Sequence, residues 1–413
     1  MIHTILDSVA LGYQPIWSRT RQLAAVRLVI HTIDPANIDG AHLLRAMGND
    51  WPKSSPLLVL APESESIVAD LLALPPLPNT WLEIPGHWFH DPDGLARITA
   101  GIKNGHRYLR HAALADVRGE VITPMDVRSL LHLSAEDALE ALKARPVPGQ
   151  MVRASTPIIR GQIYSGVASQ GLANHCLDEA GGWGLLEWPD DDVLHHNREQ
   201  APGCNQMVID QIRRILNKDT AWDRVERLIR QDPVMMYRLL LMVNSAAYGL
   251  SKEIWSLRHA LMMLGSDAFG KWLIQQQRGA TNDMDMHPVR YAAVMRARLA
   301  QHLLDSGADH HLRADVYLTA MFSQIDLFLH EPLTTALHKL PLSGRVFDAA
   351  LRQTGAYNAY LDTARAQTRV AQLSELAAVC DTHDFSLDHA NRALLRMLQT
   401  SRDYVHERAM AVS

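Results

Sequence analysis

The second half of the chain carries a helical pattern of apolar residues. From residue 205 to about residue 410, apolar positions recur three and four residues apart, in segments joined by short loops. The clearest helix begins at Asp232-Pro233, because an aspartate caps a helix and a proline fits its first turn. Its inner face repeats at i, i+3, i+4 and i+7, in Met236, Leu239, Leu240 and Val243. No fixed longer period recurs, so the pattern predicts a compact α-domain and not a solenoid.

The first half, to about residue 190, has a different pattern. Short apolar runs separated by proline and glycine occupy residues 24–31, 57–60, 80–84, 118–122, 150–152 and 184–188. Helical patterns lie between them at 65–74, 94–102 and 135–142. Strands that alternate with helices predict βα units and a mostly parallel sheet. We expect a barrel, with an open doubly wound sheet as the alternative. The whole chain is therefore predicted as α/β plus all-α.

Composition limits the class of protein. The 413 residues include 47% apolar residues and have a formal net charge of -5, so bulk charge gives no argument for a nucleic-acid or membrane partner. The three cysteines, Cys176, Cys204 and Cys380, are far apart, which indicates a reducing compartment without disulfides or a zinc site. No run reaches the roughly 18 apolar residues of a membrane-spanning helix, and no leader pattern opens the chain. We expect a cytoplasmic protein.

Three segments of the first half carry a family resemblance: Tyr13-Gln14-Pro15-Ile16, Trp81-Leu82-Glu83-Ile84-Pro85, and Gly181-Gly182-Trp183-Gly184 followed by Trp188-Pro189. Together they resemble the EAL domain, a (β/α) barrel that hydrolyses cyclic di-GMP in bacterial signalling. The resemblance implies a barrel over nearly all of residues 1–190. It also implies an active site of two divalent metals held by carboxylates at the carboxyl ends of the strands.

The chain departs from the EAL pattern at the metal ligands. The glutamate of the signature triplet is replaced by Arg27, which puts a fixed positive charge where a metal ligand is required. Glu83 remains at a matching position, but the expected Asp-Asp pair is absent and Asp116 and Asp126 are isolated. One remaining acid cannot hold a two-metal centre. We therefore predict a degenerate barrel without catalytic residues, metal or cofactor, in which Glu83 is a polar residue near a strand end.

The helical half carries a second resemblance, in Asp232-Pro233, Arg238-Leu239-Leu240, Asn244-Ser245-Ala246, residues 256–264 and Lys271-Trp272-Leu273. As a set these resemble the HDOD domain, a relative of the HD phosphohydrolases that lacks their catalytic residues. The metal-binding His-Asp dyad of those enzymes falls here at Ser323 and Gln324, and their upstream histidine falls near Ala292 or Ala293. None of these is a useful metal ligand. The resemblance implies a helical domain that acts by contact.

The predicted order is an EAL-like domain at 1–190, a polar linker at 191–203 and an HDOD domain at 204–410. This order resembles two-domain bacterial signalling proteins and predicts a non-enzymatic regulatory protein that contacts an unidentified signalling partner, with a homodimer as one possibility. Residues considered for interaction are Arg27, Glu83, Arg238, Asn244, Ser245 and Tyr248, although Asn244 and Ser245 fit a helix C-cap at least as well.

Two alternatives to this adaptor remain open. In the first, the barrel binds cyclic di-GMP without turnover, and Arg27 pairs with a phosphate. In the second, the chain is a residual cyclic di-GMP phosphodiesterase or an HD-type phosphohydrolase. The enzyme alternative predicts that Glu83, Asp116 and Asp126 converge on a metal at the rim of the barrel.

Overall fold

A computed structural model describes residues 4–35, 38–52, 56–117, 128–144, 155–216, 222–245, 254–305 and 307–400. The chain divides into two compact units. The barrel unit comprises the described residues of Met1–Val193 and Ala366–Val405, and the helical unit comprises Leu194–Arg365.

Eight strands close the barrel in sequence order. They are β1 (Val9–Trp17), β2 (Leu23–Thr32), β3 (Leu58–Pro62), β4 (Thr80–Pro85), β5 (Tyr108–Ala113), β6 (Arg128–His132), β7 (Ile163–Ser165) and β8 (Gly184–Leu186). Strand β1 is antiparallel to both of its neighbours, β2 and β8, whereas β2 to β8 are mutually parallel. The predicted barrel is confirmed, and the open sheet is wrong. The predicted strands at 118–122 and 150–152 lie outside the described residues.

Helices cover the outside of the barrel unit. Those of the barrel unit are α1 (Gly40–Gly48), α2 (Glu65–Leu72), α3 (Pro92–Lys103), α4 (Leu114–Val117), α5 (Ala135–Lys143) and α6 (Gln170–Asn174). Helix α7 (Asp190–Asn197) crosses into the helical unit, where residues 191–203 were predicted to form a linker. Three aspartates at the start of α7 favour a helix N-terminus, which explains why this polar segment is helical.

An apolar layer fills the barrel interior. It is formed by one inward residue from most strands: Ile16, Ala25, Val59, Leu109, Leu130, Ile163 and Leu186. At the amino ends of the parallel strands, Arg128 lies 4.2 Å from the ring centroid of Trp183 and 5.7 Å from that of Trp81. This cation-π cluster packs beneath the apolar layer. The barrel is therefore a filled core and not a pore.

The C-terminal part of the chain completes the barrel unit. Strand β1 pairs with β8 only at Ile16 and Trp17, so its first half has one edge without a strand partner. Asn391 covers this edge: its amide oxygen accepts from Leu11 N at 2.9 Å, and its Nδ2 donates to Leu6 O and Val9 O. Gln367 Nε2 donates to Leu11 O. These buried contacts satisfy backbone groups that would otherwise be unpaired.

The predicted boundary of the helical domain at residue 410 therefore needs correction. The segment from residue 366 belongs to the barrel unit, through a 3₁₀ helix at Val370–Glu375 and two helices that are numbered below as α18 and α19. The physical reason is the partly uncovered edge of β1, which this segment satisfies. Residues 401–410 lie outside the described part of the chain.

The helical unit follows the predicted pattern closely. The remaining helices of the chain are α8 (Gln206–Ile215), α9 (Trp222–Ile229), α10 (Pro233–Val243), α11 (Leu257–Gln277), α12 (Met286–His302), α13 (His310–Phe322), α14 (Asp326–Leu329), α15 (Leu333–His338), α16 (Gly344–Ala350), α17 (Asn358–Thr368), α18 (Leu376–Thr382) and α19 (Leu387–Thr400). Gly265, at φ 68°, has a non-helical backbone inside α11 and divides it into two helical segments. No helix in the described ranges is both long and apolar enough to cross a membrane.

Helix α10 is the centre of the helical unit, and its start is fixed by Asp232. The carboxylate of this fully buried residue accepts from Val234 N at 3.0 Å and from Met235 N at 3.1 Å, as an N-cap does. Its second oxygen accepts from Asn205 N at 2.5 Å and so joins the start of α8 to α10. The predicted cap at Asp232 is confirmed.

Candidate functional site at the barrel rim

A polar layer lies directly above the apolar layer of the barrel, toward the carboxyl ends of β2 to β8. Side chains of a strand alternate between its two faces, so residues two positions along from an inward residue also point inward. Arg27, Glu83 and His111 stand two positions beyond Ala25, Trp81 and Leu109. The full polar layer, with Gln14 contributed by the antiparallel strand β1, is Gln14, Arg27, Glu83, His111, His132 and Ser165.

The polar layer is organised by an ion pair between Arg27 on β2 and Glu83 on β4. Arg27 Nε donates to one carboxylate oxygen of Glu83 and Nη2 donates to the other, each at 2.7 Å. This bidentate geometry is the strong form of an arginine-carboxylate contact. The two side chains are 13% and 8% exposed, so the pair is nearly sealed from water.

Hydrogen bonds extend the ion pair on both sides. Arg27 Nη1 donates to Gln14 Oε1 at 2.6 Å, and Gln14 Nε2 donates to Glu187 Oε1 at 2.8 Å. On the other side, His111 Nδ1 lies 3.0 Å from Glu83 Oε1. The result is a chain of contacts across the barrel from Glu187 to His111. Each member orients the next, and both oxygens of Glu83 are engaged.

The electrostatics of the pair keep it charged. Burial opposes the ionised form of Glu83, but the hydrogen bonds and positive charge of Arg27, helped by His111, outweigh burial and lower the pKa of Glu83 to about 2. Burial likewise opposes the charged form of Arg27, while Glu83 raises its pKa above the usual value. The negative charge of Glu83 is therefore matched by a cation that belongs to the chain.

The acids of the enzyme alternative do not gather beside Glu83 in the described residues. Asp116 Oδ2 accepts from Ala113 N at 3.3 Å, which uses it at the end of β5, and Asp126 lies outside the described residues. Among the residues that the structure describes, no group of three or more histidines, cysteines and acids is arranged to hold a metal ion. Glu83, the carboxylate of the polar layer, is already bound through both of its oxygens to Arg27.

A cavity of about 650 Å³ adjoins the polar layer near the ends of β5 and β6. The lining residues with ionisable side chains are His87, His90, Arg110, His111, Asp116 and His132. Sequence reasoning missed this histidine group because its members come from three separate segments. The available signal was positional: His111 and His132 each stand two residues beyond an inward leucine, at strand ends that meet at one rim.

In the helical unit, Arg238 has a structural role. Its Nη2 donates to Pro202 O at 2.6 Å and its Nη1 donates to Gln276 Oε1 at 2.9 Å. It thereby holds the start of the unit and α11 against α10. The contacts engage the guanidinium within the unit, so the prediction of Arg238 as an interaction residue gains no support from its position.

Asn244 ends α10 as a cap. Its Nδ2 donates to Leu240 O at 2.8 Å and to Ile254 O at 2.7 Å, and its Oδ1 accepts from Ile254 N. The amide thus joins the end of α10 to Ile254, which agrees with the capping alternative. Ser245 is exposed beside it, and Tyr248 lies outside the described residues.

Ser323 and Gln324, where the HD resemblance places the metal-binding dyad, both make hydrogen bonds within the helical unit. Ser323 Oγ donates to Ala320 O at 2.8 Å, and Gln324 Oε1 accepts from Arg296 Nη1 of α12. Ala292 and Ala293, on the same helix as Arg296, offer no donor or acceptor atoms in their side chains. Arg296 is thus bound to Gln324, one of the two positions at which the HD resemblance predicts a metal ligand.

Comparison with known proteins assigns the class of the helical unit. Residues 202–336 match the HDOD domain family, so the predicted HDOD domain is confirmed over this range. The chain is similar to the uncharacterized protein YuxH of Bacillus subtilis, with 29% identity over 142 residues, which are 34% of this chain and 34% of YuxH.

The chain is also similar to the cyclic di-GMP phosphodiesterase CdgJ of Vibrio cholerae, with 25% identity over 191 residues. This alignment covers 46% of the chain and 44% of CdgJ. The matches thus span between about a third and under half of these relatives' lengths. No solved structure matches the chain significantly. The HDOD domain and the similarity to CdgJ point to signalling related to cyclic di-GMP.

Proposed function

We infer that the protein is a non-catalytic regulator in bacterial signal transduction, built from a degenerate EAL barrel and an HDOD domain. It acts by contacting a signalling protein and not by turning over a nucleotide. The observation that carries this inference is the ion pair between Arg27 and Glu83. The guanidinium lies where the EAL resemblance requires a metal-ligating carboxylate, and it occupies both oxygens of the one acid that remains.

Electrostatics explain why this arrangement opposes metal-dependent hydrolysis. A divalent cation brought to Glu83 would have to displace a bidentate arginine and would then face that arginine's positive charge in a nearly dry site. Activation of water by two metals needs several carboxylates on one rim. In the helical unit, Ser323 and Gln324 give no better ligands. Both units thus favour regulation through surfaces.

A hydrolysis assay tests this inference directly. The full chain is incubated with cyclic di-GMP and Mg²⁺ or Mn²⁺, and the linear dinucleotide product is measured. We expect no product above that formed by a matched Glu83→Gln variant, which lacks the remaining rim carboxylate. Metal-dependent product from the unaltered chain that disappears in Glu83→Gln would overturn the proposed function.

A second candidate function is cyclic di-GMP binding without turnover. It is favoured by the cavity beside the polar layer and by the similarity to CdgJ, a cyclic di-GMP phosphodiesterase. Arg27 is a poor phosphate ligand, because its donors are bound to Glu83 and Gln14. Isothermal titration with cyclic di-GMP, with and without Mg²⁺, separates the two candidates. Binding without product favours the sensor, and no binding favours contact with a protein partner, including a second copy of this chain.

A further inference from the structure

The cation-π cluster of Trp81, Arg128 and Trp183 lies at the amino ends of the parallel strands, at the opposite end of the barrel from the ion pair between Arg27 and Glu83. Arg128 begins β6, Trp81 is the second residue of β4, and Trp183 stands directly before β8. The two indole rings are stacked, with their centroids 6.1 Å apart. All three residues are only partly buried, so this end of the barrel presents aromatic surface and a guanidinium to solvent.

Arg128 is positioned by the tryptophan rings and not by an acid. Within the part of the chain that the structure describes, no hydrogen bond or ion pair engages the side chains of the cation-π cluster. Burial lowers the pKa of Arg128 from its ordinary value, which is the direction expected of a cation without a paired acid. Because a cation-π contact uses none of the N–H donors of a guanidinium, those donors remain available to an acceptor from outside.

Two further arginines flank Arg128 on the neighbouring strands. Strands β5 and β7 are the hydrogen-bonded neighbours of β6. Arg107 directly precedes β5, Arg160 stands three residues before β7, and both are exposed. The side chain of Arg160 lies against Gly181, two residues before Trp183, because a Cβ at Gly181 would be 3.3 Å from Arg160 Cγ. Three permanent cations therefore stand where three adjacent strands begin.

The acids of the segment before β8 do not cancel these charges. Asp178 is held by Arg21, whose Nη1 and Nη2 each donate to one of its oxygens at 2.7 Å. Glu179 Oε2 lies 2.7 Å from Nδ1 of the buried His175. Arg19, whose side chain is 68% exposed, adds a further positive charge beside Asp178. These acids are therefore already matched by basic groups of the chain.

We propose that the amino end of the barrel is the surface on which the protein binds its signalling partner, and that the partner presents an acidic segment to Arg107, Arg128 and Arg160. Carboxylate and guanidinium groups are both planar and form paired hydrogen bonds, so they match in charge and in geometry. Tryptophan and arginine are also the residue types that most often dominate the energy of a protein interface. The inference rests on the proposed function, because it names a surface for the contact with a protein.

The aromatic geometry favours a protein segment over a nucleic acid. Single-stranded nucleic acids bind by stacking their bases on open aromatic faces. Here the two indole rings stack on each other, and the guanidinium of Arg128 lies 4.2 Å from the ring centroid of Trp183, so ring faces are already in use. The net charge of -5 gives no general attraction to a polyanion. A short acidic segment needs only the local arginines and the exposed edges of the rings.

Titration calorimetry of the full chain with an acetylated oligoglutamate peptide tests the charge requirement. An oligolysine peptide and an oligothymidylate of matched length are the comparison ligands. We expect saturable binding of oligoglutamate that weakens as the salt concentration rises, because salt screens charges at exposed positions. We expect no binding of oligolysine and weaker or no binding of oligothymidylate.

Variants locate the binding at the cation-π cluster. Arg128→Gln should weaken the binding of oligoglutamate by about tenfold, since hydrogen bonds between charged groups are lost. Arg97→Gln is the matched control, because Arg97 also lies over a tryptophan of the barrel unit, 5.3 Å from the ring centroid of Trp88, but belongs to α3. This control should bind oligoglutamate as tightly as the unaltered chain does.

Two exposed variants decide the question if a lowered melting temperature shows that Arg128→Gln disturbs the barrel. Arg107→Gln and Arg160→Gln alter exposed side chains, and each should weaken the binding of oligoglutamate several-fold without a change in melting temperature. Binding by these two variants that equals binding by the unaltered chain would overturn the proposal.

Three other results would also overturn the proposal: no binding of oligoglutamate, tighter binding of oligothymidylate than of oligoglutamate, or a dimer of the unaltered chain that Arg128→Gln dissociates in analytical ultracentrifugation. The last result would assign the surface to a second copy of this chain. None of these results bears on catalysis, so the proposed absence of turnover would stand. Turnover in the hydrolysis assay would overturn the proposed function while leaving the measured peptide binding unchanged.

Discussion

Asn391 in α19 is hydrogen-bonded to the backbone of Leu11 in β1, although 380 residues separate them in the sequence. The amide also donates to Leu6 O and Val9 O, so one fully buried side chain serves three backbone groups. The first strand and the last described helix therefore belong to one folding unit.

Replacing Asn391 by alanine should destabilise the barrel unit. The change leaves buried backbone groups of β1 without partners, and we expect a loss of about 2–4 kcal/mol in the free energy of unfolding. Urea unfolding of the full chain measures it. Gln399→Ala, an exposed position on the same helix, is the matched control and should be nearly neutral. Equal stability of the two variants would contradict the assignment of α19 to the barrel.

The ion pair between Arg27 and Glu83 should make the free energy of unfolding depend on pH in the acid range. The pKa of Glu83 is about 2 in the folded chain, compared with 4.5 as its ordinary value. Its stabilising contribution is therefore complete above the ordinary value and is lost as the pH falls toward 2. By linkage, this contribution of Glu83 to the free energy of unfolding is on the order of 3 kcal/mol.

A comparison of variants isolates the contribution of Glu83 from that of other acids. The stability difference between the unaltered chain and Glu83→Gln should be largest near neutral pH and should narrow at about pH 3. Urea unfolding at several pH values measures this difference. Glu136→Gln, on the exposed face of α5, is the control and should give no comparable narrowing. A difference that stays constant with pH would contradict the low pKa of Glu83.

Reversing the charge of Arg27 should admit a cation. Arg27→Glu places a second carboxylate beside Glu83 and Gln14 Oε1, which together supply the oxygen ligands that divalent ions prefer. We expect Mn²⁺ to raise the melting temperature of this variant by a few degrees through binding to the folded state. Arg27→Gln, which removes the charge without adding a ligand, serves as control. Equal effects of Mn²⁺ on both variants would show that Arg27 does not determine cation binding.

In the helical unit, the N-cap of α10 should contribute more to the free energy of unfolding than a surface ion pair does. Asp232→Ala removes a buried carboxylate that accepts from three backbone N–H groups, and we expect a loss of about 2–3 kcal/mol. Asp223→Ala breaks an ion pair with Arg258 in which both side chains are more than half exposed, so its effect should be under about 1 kcal/mol. Thermal unfolding compares them. A reversed order would contradict the structural role of Asp232.

Sequence patterns predicted elements with strong local signals. The apolar run at 24–31 is β2, and the helix that begins after Asp232 is α10. Strand β7 was not predicted, because its three residues are too few to show alternation. Strand β5 was not predicted, because arginine and histidine interrupt its apolar pattern. Its histidine points to the polar layer, where local hydrophobicity gives no signal.

The sequence identified individual residues of the candidate site but did not predict that Arg27 and Glu83 contact each other. Arg27 and Glu83 were each selected from a family resemblance, whereas their direct contact depends on β2 and β4 lying on either side of β3, although the two residues are 56 positions apart in the sequence. The helical pattern of α19 was equally recognisable. A periodic apolar face shows that a helix is buried, but it does not say against which partner. The partner of α19 is β1. One edge of β1 lacks a strand partner over its first half because the short strand β8 pairs with β1 only at Ile16 and Trp17, and the sequence pattern does not show this.

The chain order of the barrel has a consequence for synthesis. Because Asn391 and Gln367 leave the ribosome long after β1, the nascent barrel holds a strand edge without its final partner while the whole helical unit is being translated. The barrel can therefore be completed only after the helical unit has been translated, and folding of that intervening unit would shorten the loop that must close between β1 and α19.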